Sequence, residues 1–225
     1  MAMTHVLMHS PSVGPATWAP IARRLPGSIV PSLLHVADAG PPFWPAVAQT
    51  VAEAINGLPD DAEVVLVAHS NAGLFVPAVV ERVDRTIKAL VFADAAVPAR
   101  RGRTAVVSPE NLRLLEGLVE ADGRLPQWTR WFSDAEVDPM FPDPATRRIV
   151  EAEQPRLPLS YYQQEIPAAP GWDERPCGYL LFGPPYEQIA RDCGWPVEHT
   201  PGRHLHQLVD PDTVTEAIRK LSHPA

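Results

Sequence analysis

The chain has 225 residues, 45% of them hydrophobic and 20% charged, which is enough for one sizeable core in a single domain or a domain with an insertion. A formal charge of −8, without a long basic run, disfavours nucleic acid as a partner. No apolar run is long enough to predict a membrane span, and the first ten residues lack the pattern of a signal peptide. With Cys177 and Cys193 as the two cysteines, we expect no disulfide framework and a cytoplasmic location.

Six short apolar runs alternate along the chain with longer segments of helical periodicity. The runs that predict strands are residues 4–8, 28–35, 63–69, 88–94, 177–183 and 196–200. The segments that predict helices are residues 18–25, 43–58, 73–83 and 211–221. Runs that are apolar at every position, such as 64–68 and 89–93, are typical of a parallel sheet covered on both faces. We therefore predict an α/β fold with a doubly wound, mostly parallel sheet of about six strands.

Residues 98–176 interrupt this alternation and predict a helical insertion. They contain two helical segments, 109–119 and 144–152, joined by proline-rich turns and accompanied by many aromatic residues. These rings either form a core of their own or line a lid whose apolar face meets a substrate. As substrate contacts we select Trp128, Trp131 and Phe132. The predicted organisation is a core in two parts, residues 1–97 and 177–225, with a cap or lid at 98–176.

The segment VLVAHSNAGLFVP, residues 65–77, places Ser70 in the turn between a buried strand and a helix. A serine there projects its hydroxyl above the sheet only if the turn is very sharp, and a sharp turn requires small neighbours. Ala68 and Ala72 meet that requirement, and Gly73 adds clearance. The alternative is a serine that merely caps the helix. As a nucleophile Ser70 needs a base, and HTPGRHLHQLVDPDTV, residues 199–214, offers His204 and His206.

The pattern as a whole resembles the α/β-hydrolase superfamily, and its layout is most similar to the compact branch of small esterases and hydroxynitrile lyases. The resemblance covers nearly the whole chain: VLMHSPSVGPATW at residues 6–18, the Ser70 turn, the insertion and the late histidine follow in that order. It implies His204 as the base, because this histidine follows a Gly-x pair and precedes Pro211 by seven residues. The acid is implied at one of two strand ends, Asp94 or Glu187. We choose Asp94, since it lies at a carboxyl end facing the same rim as Ser70.

The same resemblance implies an oxyanion hole built from two backbone N–H groups. One belongs to Asn71. The other falls on Pro11, which has no N–H to donate. We expect the Ser10 hydroxyl to replace it, with the Ser12 N–H or a one-residue shift of the loop as alternatives. His9 is expected to order this loop through hydrogen bonds to the backbone.

These observations predict a serine-dependent hydrolase of a small, largely apolar ester or related carbonyl compound. Two alternatives stay open: a lyase, cyclase or isomerase that uses the Ser70–His204 pair as a general base, and a binding protein on the same scaffold. The spacing of histidine, cysteine and carboxylate residues indicates no metal, and no glycine-rich loop indicates a nucleotide cofactor. A small-molecule substrate is the expected partner, with no nucleic acid and no membrane; the sequence does not indicate an oligomeric state.

Overall fold

A computed structural model describes residues 3–223 of the chain. Its central sheet has five parallel strands in the order β1-β2-β3-β6-β7. Two further strands, β4 and β5, form a separate antiparallel pair. The strands in chain order are β1 Met3–Met8, β2 Glu63–His69, β3 Ile87–Ala93, β4 Gly102–Ala105, β5 Glu165–Ala168, β6 Cys177–Leu181 and β7 Val197–His199.

Ten α-helices lie in the described part of the chain, together with short 3₁₀ turns. The helices are α1 Ala19–Ala22, α2 Trp44–Asn56, α3 Val76–Val80, α4 Pro109–Glu116, α5 Asp134–Val137, α6 Pro144–Glu153, α7 Leu159–Tyr162, α8 Glu187–Asp192, α9 His206–Val209 and α10 Pro211–Ser222. Within residues 3–223, no helix combines the length and the apolar character needed to cross a membrane.

Alternate residues of β1, β2, β3 and β6 pack into two separate hydrophobic cores, one on each face of the sheet. On one face, residues such as Leu66 and Phe92 pack with the apolar stripe of α2. On the other face, Val67 and Val91 pack with Trp18 and the apolar residues of α10. Because both faces are covered, the strands are apolar at nearly every position, as the sequence predicted.

The predicted strand at residues 28–35 is wrong, because the structure has only one bridge there. Ile29 pairs with Val6 on the outer side of β1 and exchanges backbone hydrogen bonds with His5 and Leu7. Pro31 follows two residues later and has no N–H with which to extend the pairing. The chain then turns into a 3₁₀ segment at Leu34–Asp38, so the sheet has five full strands.

The segment between β3 and β6 is less purely helical than the sequence predicted. It contains α4 to α7, but also β4 and β5, whose antiparallel pairing joins its two ends. The sequence signals missed these strands because both are only four residues long, and β4 has no buried residue. The division into two core segments and a cap stays a prediction.

Candidate active site

The register of β2 with β3 places Ser70 and Asp94 side by side at the carboxyl edge of the sheet. His69 ends β2 and is paired with Ala93, the last residue of β3. Each strand is followed at once by a residue with positive φ, 60° at Ser70 and 43° at Asp94. Such values are uncommon outside glycine, and they turn both side chains sharply away from the strand direction.

The turn at Ser70 has room only for small neighbours. It opens a 3₁₀ segment, Ser70–Phe75, rather than the α-helix predicted from residue 73, and the α-helical part is limited to α3. A Cβ placed on Gly73 would lie 2.2 Å from the carbonyl oxygen of Ala96, so this position excludes any side chain. The Ala96 N–H donates to the Ser70 carbonyl at 3.1 Å, which ties the turn to the segment after β3.

His204 links the two side chains into one hydrogen-bonded chain. Its Nε2 lies 2.8 Å from Ser70 Oγ, and its Nδ1 lies 2.6 Å from Asp94 Oδ2. The carboxylate can only accept, so it holds the proton on Nδ1 and leaves Nε2 free to accept from the serine. Asp94 is 1% exposed, and its Oδ1 accepts from the N–H groups of Phe182 and Gly183 at 3.1 and 3.4 Å.

Aromatic rings enclose His204. Tyr186 stacks on its imidazole at 5.3 Å with a 10° interplanar angle, while the Trp128 and His69 rings lie at 5.9 and 4.7 Å. His69 Nε2 donates to the His204 carbonyl at 2.7 Å. Burial lowers the pKa of His69 well below its ordinary value, so this ring stays neutral. Sequence reasoning missed both Tyr186 and His69, although His69 immediately precedes Ser70.

The Ser10–Val13 turn lies on the cavity and has Pro11 at its second position. The Ser10 carbonyl accepts from the Val13 N–H at 3.0 Å, and Ser10 Oγ accepts from the Ser12 N–H at 3.2 Å. The Ser12 N–H is therefore already engaged, whereas the Ser10 hydroxyl keeps its own proton for donation. Ser10 is 3% exposed and lines the cavity together with Ser12.

His9 orders this turn, as the sequence predicted. Its Nδ1 lies 2.8 Å from the Ser10 carbonyl, and its Nε2 accepts from the Leu33 N–H at 3.0 Å. Because Nε2 must accept, Nδ1 carries the proton and donates. Burial lowers the pKa of His9 to about 4, so the ring is neutral at pH 7.

Two adjacent tyrosines of α7 reach both sides of Ser70. The Tyr161 hydroxyl donates to Asn71 Oδ1 at 2.6 Å, and the Tyr162 hydroxyl shares a 2.9 Å hydrogen bond with Ser12 Oγ. Burial raises the pKa of both phenols, which keeps them protonated. Asn71 is thus held by its side chain while its N–H lies in the first turn of the 3₁₀ segment, where such groups lack partners within the helix.

A cavity of about 560 Å³ opens above Ser70 and is within the range of small-molecule sites. Of the three predicted substrate contacts, Trp128 and Trp131 line it. Phe132 does not: its side chain is 42% exposed and packs edge-on against Trp128 at 5.6 Å. The reason is local, since the 3₁₀ segment ends at Trp131 and the backbone becomes extended at Phe132, with φ −126° and ψ 163°.

The two rejected alternatives lie outside this hydrogen-bonded chain. Glu187 begins α8 on the surface, where its nearest charged partner is Arg191 at 3.8 Å. His206 packs its ring on Phe182 at 5.6 Å and lies against the backbone of Gly202. The expectation that the chain uses no metal or cofactor stays a prediction.

Comparison with known proteins gives no sequence match: no protein-family model and no curated protein matches the chain. Solved structures do match. An extracellular α/β-hydrolase from a Paenibacillus species superposes with a TM-score of 0.74 at 20% identity, over 99% of this chain and 100% of that one. Tomato methylketone synthase I, as a variant complexed with β-ketoheptanoate, gives 0.75 at 14% identity over 99% and 98%.

The chain has the α/β-hydrolase fold. An Arabidopsis methylesterase agrees with this assignment, with a TM-score of 0.67 at 14% identity over 97% of this chain and 98% of that one. The likeness covers 97–99% of this chain in all three comparisons, so the fold extends over both sheet-forming parts and the segment between them. At such low identity the likeness extends to the fold, while the chemistry has to be argued from the site itself.

Proposed function

We propose that this α/β-hydrolase-fold protein is a serine-dependent hydrolase of a small, largely apolar ester or related carbonyl compound. The observation that carries the proposal is the continuous hydrogen-bonded chain Asp94–His204–Ser70, with distances of 2.6 and 2.8 Å, at the floor of the 560 Å³ cavity. These two distances support the roles of Ser70 as nucleophile, His204 as base and Asp94 as orienting acid in acyl transfer. Structural neighbours named as a methylesterase and as polyneuridine aldehyde esterase support the same class of reaction.

In the proposed mechanism Ser70 Oγ attacks the carbonyl carbon as its proton passes to His204 Nε2. Asp94 stabilises the resulting imidazolium and keeps its Nδ1 proton in place. The tetrahedral intermediate collapses when His204 returns the proton to the leaving alcohol, and Ser70 is left acylated. A water molecule, deprotonated by the same nitrogen, then releases the acid and restores the serine.

Negative charge that develops on the substrate oxygen needs hydrogen-bond donors. We assign one to the backbone N–H of Asn71, whose side chain is held by Tyr161. We assign the other to the Ser10 hydroxyl, because Pro11 has no N–H and the Ser12 N–H is engaged with Ser10 Oγ. Trp128 and Trp131 supply an apolar wall for the substrate.

The test is turnover of a panel of chromogenic esters by the wild-type protein and by Ser70→Ala, with Ser28→Ala as control. Ser28 lies outside the cavity lining, and its hydroxyl donates to the Ala22 carbonyl. We expect Ser70→Ala to lose essentially all activity with unchanged folding and Ser28→Ala to keep it. Intact mass measured during turnover should show an acyl adduct on the wild-type protein only. Retained hydrolysis by well-folded Ser70→Ala would exclude the covalent mechanism.

A non-hydrolytic lyase, cyclase or isomerase is the second candidate, and the missing N–H at Pro11 favours it. A reaction that only needs a proton moved by His204 requires no complete oxyanion hole, and loss of one donor typically costs a hydrolase about a hundred- to a thousand-fold in rate. One structural neighbour with this fold is named methylketone synthase I and not an esterase. If simple esters fail and no acyl adduct forms while Ser70 and His204 remain essential to another reaction, this candidate is the correct one.

A further inference from the structure

The lining of the candidate cavity is polar in places but contains none of the side chains that are ordinarily charged at pH 7. Among the described residues that form it there is no lysine, arginine, aspartate or glutamate. Its hydrogen-bonding groups are hydroxyls, amides and imidazoles, which belong to Ser10, Ser12, His69, Ser70, Asn71, Thr104, Ser108, Asn111, Tyr162, Tyr186 and His204. Burial raises the pKa of Tyr186 to about 12, so this phenol stays protonated at pH 7.

A carboxylate lies directly behind this lining. Asp94 is almost fully buried and contacts the far side of the His204 ring. The protein as a whole also has a formal charge of −8. Both make the cavity unfavourable for a further anion.

Among the described residues no arginine lines the cavity, and three arginines between β3 and β6 are held in ion pairs at the surface. Arg124 pairs with Asp38, Arg156 pairs with Glu120 and Asp122, and Arg147 pairs with three carboxylates around α6. None of the three lines the cavity. A substrate carboxylate in the cavity would therefore lose water without gaining a cationic partner.

From this distribution of charge we infer that the site selects esters whose acyl part is uncharged and rejects those that carry a carboxylate beside the ester. The inference rests on the proposed hydrolase function and narrows its substrate class. It also bears on product release: ester plus water gives alcohol and acid, and the acid loses its proton to become the kind of anion that this cavity holds poorly. We therefore expect weak inhibition by the carboxylate product.

Three substrates of matched size test the inference. They are 4-nitrophenyl pentanoate, the 4-nitrophenyl half-ester of glutaric acid, and the methyl ester of that half-ester, which has the same chain without the charge. We expect kcat/KM for the two neutral esters to agree within about fivefold. The anionic half-ester should be at least about 100-fold worse, because its carboxylate is desolvated without a partner. Equal rates on the half-ester and its methyl ester would overturn the inference.

A charge placed at the cavity rim should reverse part of this preference. Asn111 lines the cavity and is exposed near the start of α4, so Asn111→Lys adds an ammonium group without burying it. Asn111→Met is the neutral control of similar length. We expect Asn111→Lys to raise the kcat/KM ratio of the half-ester to its methyl ester by about tenfold, and Asn111→Met to leave the ratio unchanged. The same rise with methionine would assign the selectivity to shape rather than charge and would also overturn the inference.

A binding measurement tests the inference even if the protein cleaves no ester. Calorimetry with Ser70→Ala compares dimethyl glutarate with monomethyl glutarate, which differ by one ionised group. We expect the dimethyl ester to bind and the monoanion to bind at least about 30-fold more weakly, which corresponds to about 2 kcal/mol. Equal or tighter binding of the monoanion refutes the inference, whereas loss of hydrolysis with this preference intact refutes only the proposed hydrolase function.

Discussion

Replacing Asp94 with Asn should disable the site through the wrong tautomer of His204. Two backbone N–H groups, from Phe182 and Gly183, donate to Asp94 Oδ1 and will hold the amide oxygen of the asparagine in the same place. The amide NH₂ then occupies the position of Oδ2, 2.6 Å from His204 Nδ1. A donor at that position needs an acceptor, so the imidazole proton moves to Nε2. With Nε2 protonated, His204 cannot take the proton of Ser70.

The expected loss of kcat is about ten-thousand-fold, the size of the same change in a serine protease, or about 5.4 kcal/mol in activation free energy. The fold should survive, because asparagine has nearly the shape of aspartate and keeps both backbone hydrogen bonds. We expect the free energy of unfolding to change by about 1 kcal/mol.

The assay is kcat/KM on the best ester of the panel, with circular dichroism and thermal melting as checks of folding. Glu187→Gln is the matched control, since it also replaces a carboxylate by an amide after a neighbouring strand. Within residues 3–223, Arg191 is the one charged group that pairs with Glu187, so we expect the activity of Glu187→Gln within about twofold of wild type. Activity of Asp94→Asn within tenfold of wild type, or a crippled Glu187→Gln, would refute the assignment of the acid.

Two further predictions concern the loop after β1. Pro11→Ala supplies the missing N–H, while the hydrogen bond from the Val13 N–H to the Ser10 carbonyl keeps the turn. The kcat for simple esters should therefore rise by about tenfold or more, and Ser10→Ala should lower it. If neither change affects kcat, this loop is excluded from the oxyanion hole. His9 has its pKa lowered from 6.5 to about 4, so the unfolded chain binds the proton first as the pH falls through this interval. The free energy of unfolding in urea should therefore decrease from pH 7 to pH 5, and His9→Asn should remove part of that slope.

Several parts of the site follow from short-range chemistry and were predictable from the sequence. Small residues around Ser70 indicate a turn too tight for larger ones, and the 2.2 Å approach of a Gly73 Cβ to Ala96 is the steric reason. His9 bonds to the backbone of its own loop as expected, and it also accepts from the Leu33 N–H, which the sequence did not indicate. Fully apolar strands indicated a sheet covered on both faces, because periodicity reports burial directly. These signals arise from residues close together in the chain, so they can be recognised in the sequence alone.

Other parts depended on how distant segments meet, and only the tertiary structure decided them. The sequence favoured Asp94 over Glu187, but the contact of Asp94 with His204, 110 residues further along the chain, depends on how the strand ends and the late loop pack. The outward direction of the Phe132 ring has a local cause, the change to extended backbone after Trp131, but periodicity did not indicate where the 3₁₀ segment ends. Composition shows which residue types are present, and spacing shows the period of apolar residues within each segment. The partner that each side chain finds depends on packing between segments far apart in the chain, and no periodicity within one segment contains that information.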